Sequence, residues 1–162
     1  MAEKPSLLML SVLAGVGTAL LSPLSVNGLP IVVLVIPFAI IASILYNAES
    51  GIVVGVAVSA LSALLVSSLN EWDFISYAMA AAVTVLAYDA VYPKQKNDIS
   101  AVLFVVMGTL IHQFLRELSA RENIVFRPEL FTGTSPELGL QIIANVIIMG
   151  VLLSYWNTPG KK

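Results

Sequence analysis

The stretch GIVVGVAVSALSALLVSS, residues 51–68, carries no charge and returns to a small side chain at every fourth position: Gly51, Gly55, Ser59, Ala63 and Ser67. Residues four apart share one face of a helix, so the spacing predicts a membrane-embedded helix with a smooth line along it. Small side chains on that line let a second backbone approach closely. Close approach matters in lipid, where the hydrophobic effect gives helices little reason to associate. The line therefore reads as a packing or partner-binding surface, and the pattern leaves open whether the neighbour lies in the same chain.

The same poverty of charge extends outward from this stretch. Of 162 residues, 58% are hydrophobic and 11% charged, well beyond the balance of a soluble domain. No acid or base falls between Pro5 and Ala48, and further charge-free runs cover 50–70, 74–88, 99–115 and 138–160. A hydrocarbon core of about 30 Å takes roughly 20 helical residues, or about 17 at the short end. Cutting the runs at their turn residues gives six segments, 6–22, 29–46, 51–69, 74–92, 99–118 and 138–156. The expected fold is an all-α integral membrane protein, one transmembrane domain over 1–162 built as a bundle of six transmembrane helices.

The first cut rests on Pro23, Asn27 and Gly28, the second on Asn47, Glu49 and Gly51, both sets rich in turn formers. Pro30 suits the first turn of the second helix, while Pro37 is expected to remove a mid-helix bond and kink it. The MAEKPS leader is weakly basic and the first run leads into a second apolar one, so the first helix is expected to stay rather than be cleaved.

Six spans place both termini on one side with the 46–50 and 92–98 loops. Lys4, Lys94, Lys96, Lys161 and Lys162 lie on that side, against Arg116, Arg121 and Arg127 on the other. The bias predicts a multi-pass protein of the plasma membrane with both termini cytoplasmic. Trp72, Trp156, Tyr46, Tyr92 and Tyr155 fall near the span ends, where amphipathic rings suit the interface. The longest loop, 119–137, mixes apolar residues with charges and is expected to lie on the outer surface as a lid, a dock or a plain cover. Its end, Ser135-Pro136-Glu137, reads as a cap, a first helical residue and an acid at the positive dipole end of the last helix.

Several functions are excluded or poorly supplied. A net charge of −2 without a basic stripe argues against nucleic acid. With no cysteine and a single histidine, and no nucleophile, zinc or phosphate-loop motif, the chain is expected to be no enzyme and to need neither cofactor nor metal. No acid or base sits mid-span, so a proton relay of the pump type is missing as well.

Several polar residues fall within the spans. His112 and Arg116 share a helix face, as do Gln113 and Glu117, and Gln141 and Asn145. His112, Gln113, Arg116, Gln141 and Asn145 form a candidate polar pocket. Their other reading is interfacial snorkelling for the fifth helix and interhelical hydrogen bonding for the sixth.

The order of features resembles the MreD family of rod-shape-determining membrane proteins. The resemblance runs through residues 20–91, where a first helix, a short loop, a Pro-containing apolar helix, a small turn and a Gly-rich helix follow one another. It continues in VLFVVMGTLIHQFLREL, with Gly108 and Thr109, and in LQIIANVIIMGVLLSYW, with Asn145. The family often carries an acid late in its third helix, where this chain has SALLVSS. The resemblance implies an S-component-like six-helix scaffold of the cell-shape and peptidoglycan elongation machinery, bound to the bitopic protein MreC through the third-helix face or the 119–137 loop. The alternative it raises is the substrate-binding S component of an energy-coupling-factor vitamin transporter, which is thought to share that fold. A small-molecule ligand is expected only under that alternative.

Overall fold

Ser6 opens the first helix, α1 (Leu7–Leu21), by accepting the Met9 N–H on its side-chain oxygen. That satisfies one of the donors a helix start leaves unpaired. The structure, a computed structural model, describes residues 5–26, 29–67, 69, 71–91, 98–119 and 136–156. After α1 comes a short antiparallel hairpin, β1 (Ser25–Val26) and β2 (Leu29–Pro30), with Ser25 opposite Pro30 and Val26 opposite Leu29. Five further helices follow among the described residues: α2 (Val35–Leu45), α3 (Ala48–Leu65), α4 (Glu71–Val91), α5 (Asp98–Ser119) and α6 (Pro136–Trp156). The fold is all-α.

Four stretches of these helices are long and apolar enough to cross a membrane: Ala48–Leu65, Glu71–Val91, Asp98–Leu118 and Leu138–Tyr155. Leu7–Leu21 and Val35–Leu45 are shorter apolar helices. The expectation of a continuous second helix over 29–46 is therefore corrected. Residues 29–30 belong to the hairpin, 31–34 lie outside any helix, and helix begins only at Val35. Eleven residues reach roughly 16 Å, about half of a hydrocarbon core.

Pro37 changes meaning with this boundary. It is the third residue of α2, in the first turn, where its missing N–H has no intrahelical partner to lose. The next amide, Phe38 N–H, already bonds to Leu34 O at 3.2 Å. Pro37 therefore removes no mid-helix bond that would kink α2, and Pro30 sits in β2 rather than in a first helical turn.

Non-helical backbone is tolerated at membrane depth only where protein covers it. Here Val32, Val33 and Leu34 are buried. Thr18 in α1 supplies the matching polar group: its hydroxyl donates to Ala14 O at 2.9 Å and accepts the Leu34 N–H at 3.1 Å. Replacing Thr18 by valine keeps the shape and removes the acceptor. The expected cost is about 1–3 kcal/mol, seen as a lower melting temperature of the detergent-solubilised chain, with Thr18→Ser recovering most of the loss.

Every residue from Val35 to Ser43 is buried, and α2 touches each of the other five helices. A helix apolar all round belongs in a core; α2 is the post around which the longer helices stand. It passes into α3 through Tyr46 and Asn47, the latter capping α3 by accepting the Ser50 N–H at 2.8 Å. Asn47 thus starts a helix that reaches three residues further back than the sequence predicts, which places Gly51 inside α3 rather than in a turn.

Candidate functional site

The small-residue line meets α2 and α4. A Cβ on Gly51 would lie 2.7 Å from Ala39 O, 2.9 Å from Ser43 Cβ and 3.0 Å from Val85 Cγ1. On Gly55 it would lie 2.7 Å from Ala81 Cβ and 3.3 Å from Ala39 Cβ. Ser59 is buried and bonds back to Gly55 O at 2.8 Å. Ala63 is half-buried, and Ser67 is exposed in the turn after α3. The line is thus continuous in space only over its first part, and Ser67 is not on the helix face where the spacing put it.

The polar residues assemble between α4, α5 and α6. Asp73 and Tyr77 stand four apart on α4, His112 and Arg116 four apart on α5, and the two helices run in opposite directions. The result is a matched pair of rungs. Arg116 Nε lies 3.1 Å from Asp73 Oδ1, with the carboxylate side chain 5% exposed. Each charge also sits at a favourable end, Asp73 in the first turn of α4 and Arg116 in the last turn of α5. One turn inward, the Tyr77 and His112 rings stack with centroids 3.5 Å apart and planes within 9°.

α6 closes the cluster. Gln141 Nε2 donates to Tyr77 Oη at 2.8 Å, and Asn145 Nδ2 donates to Thr109 Oγ1 at 3.0 Å, whose own hydroxyl bonds back to Val105 O. His112 is 2% exposed. Neither of its ring nitrogens, nor Asn145 Oδ1, has a hydrogen-bond partner among the described residues. Gln113 stands apart from this group, donating to Glu117 Oε1 along its own helix at 3.2 Å.

Four of the five residues proposed from sequence, His112, Arg116, Gln141 and Asn145, therefore belong to one cluster. Asp73 and Tyr77 complete it and were missed. The signal existed: an acid and a tyrosine four apart can meet a histidine and an arginine four apart on an antiparallel neighbour. A fourth segment that opens at residue 74 leaves Asp73 outside the span, whereas α4 begins at Glu71. Beside the cluster, Trp72, Ile75, Ser76, Met79, Leu115 and Leu118 line an open groove of about 250 Å³. Residues 120–135, most of the 119–137 loop with its proposed cap at Ser135, lie outside the described residues, as do Tyr92 and the chain ends. Among the described residues no group of three or more His, Cys, Asp or Glu is placed to hold a metal ion.

No family model matches the chain, and neither the curated proteins nor the solved structures contain a match to it. The lengths and apolar character of its helices mark it as a helical, multi-pass membrane protein.

Proposed function

We propose that the chain is a non-catalytic scaffold subunit of the bacterial cell-shape and peptidoglycan elongation machinery, holding a single-span MreC-like partner in the plasma membrane with both of its own termini in the cytoplasm. The observation that supports this reading is the mutual pairing of the core's polar side chains: Asp73 with Arg116, Tyr77 with Gln141, Thr109 with Asn145. Such interhelical bonds hold helices in register. They suit a fixed frame better than a machine that passes protons or groups along. The outward residues Leu8, Leu13 and Leu20 of α1 and Ile143, Ile147 and Val151 of α6 are apolar, a surface against which either lipid or another span packs.

A second reading, the S component of an energy-coupling-factor transporter, draws support from the convergence of His112, Arg116, Gln141 and Asn145 at one end of the bundle. Native mass spectrometry of the chain extracted gently from its own membranes separates the two. The scaffold reading expects a stoichiometric single-span protein and no small ligand. A vitamin-sized mass together with an ATPase module overturns it in favour of the transporter.

A further inference from the structure

Three polar atoms in the α4–α5–α6 cluster stand out: both ring nitrogens of His112 and the amide oxygen of Asn145. All are buried, and none has a hydrogen-bond partner among the described residues. Burying such a group unpaired is costly, and native structures rarely leave several together. They lie on two adjacent helices and are linked through shared neighbours. Asn145 binds Thr109, one turn from His112 on α5, and Gln141, one turn from Asn145 on α6, binds the tyrosine on which His112 stacks.

We infer that His112 and Asn145 form a binding site for a small uncharged molecule that both donates and accepts hydrogen bonds, either solvent water or a polar solute. The chemistry of the three atoms sets this class. A neutral imidazole presents one N–H that needs an acceptor and one nitrogen that needs a donor, and the Asn145 oxygen needs a second donor. Charge is disfavoured. Asp73 and Arg116 answer each other at the near end, and the remaining polar neighbours, Tyr77, Thr109 and Gln141, are neutral groups that offer no counter-charge to an ion taken out of water. Because the imidazole nitrogens point away from each other on different edges of the ring, each needs its own contact, one an acceptor and the other a donor, so water fills the site as more than one molecule. The stack on Tyr77 holds the ring plane fixed while leaving those edges free. The site does not depend on either function proposed above, since a scaffold and a transporter subunit both accommodate it.

The test exploits the fact that His112 is the chain's single histidine. The full chain, labelled with ¹⁵N-histidine and reconstituted in lipid nanodiscs, is examined by NMR with ordinary water as the probe. The expected result is an imidazole N–H with an exchange cross-peak to water and an acceptor nitrogen at the shift of a hydrogen-bonded imidazole. For a solute, the cross-peak instead runs to non-water, non-protein protons, and native mass spectrometry of the same sample shows the extra mass. Asn145→Thr, which retains a side-chain oxygen, is expected to keep the signature, and Asn145→Leu to lose the Asn145 bridge. A nitrogen at the shift of an unbonded imidazole, or a cross-peak to a protein group alone, overturns the inference in the wild-type chain itself, so the result does not hinge on how well any variant folds.

Discussion

Gly51→Val is expected to destabilise the folded chain severely, whereas Gly150→Val is expected to leave it intact. The contrast follows from what each new side chain would meet. At Gly51 even a Cβ falls 2.7 Å from Ala39 O, a backbone atom of the central helix α2, with Ser43 and Val85 closing the other sides. A flexible side chain can swing away; a carbonyl inside a helix that touches every other helix cannot. Overpacking typically costs about 1–3 kcal/mol and sometimes more, and a β-branched residue jammed against backbone belongs at the upper end. At Gly150 there is nothing within 4 Å of the added Cβ. The measurement is the yield and thermal melting of the monodisperse chain in detergent. Equal behaviour of the two variants would contradict the packing described here.

Removing one partner of the Asp73–Arg116 pair is expected to do nearly as much damage. Arg116→Ala removes the guanidinium 3.1 Å from the Asp73 carboxylate, which is 5% exposed. Breaking a buried pair from one side costs about 3–5 kcal/mol, while replacing both members is often nearly neutral. Arg116→Ala should therefore lower the melting temperature sharply, and Asp73→Asn combined with Arg116→Ala should recover much of the loss. The partial exposure of Arg116, 28%, favours the lower half of that range. Additive losses in the double variant would mean that the two residues stabilise the protein independently, and the rung structure between α4 and α5 would have to be abandoned.

Much of this architecture is legible in the sequence, and the failures have physical causes. The four long helices announce themselves as charge-free runs of sufficient length, because lipid-facing helices tolerate few charges. The region from Leu29 to Tyr46 misleads for the opposite reason. A fully buried helix and a fully buried non-helical strand of chain both read as an unbroken apolar run, so periodicity cannot divide them. The two prolines mark the division only once the boundary at Val35 is known: Pro30 in the hairpin, Pro37 in the first turn. Spacing reveals the small face of α3, yet not that Ala39 and Ala81 fill it. In the polar cluster, i to i+4 pairs on single helices are visible beforehand. The match between Asp73–Tyr77 and His112–Arg116 needs the antiparallel register, a tertiary fact.

α2 stands inside the bundle, and the small face of α3 at Gly51 and Gly55 is filled by this chain's own α2 and α4. Ala39 on α2 and Ala81 on α4 converge on the point a Gly55 Cβ would occupy, at 3.3 and 2.7 Å, and the chain has no cysteine of its own. The most direct measurement is therefore short-range thiol crosslinking of Ala39→Cys, Ala81→Cys in native membranes, with the linked peptides identified by mass spectrometry. A crosslink within one chain, at monomer mass and independent of expression level, is the predicted result. Crosslinks found only between chains, or none under conditions in which each single variant reacts after unfolding, would contradict it.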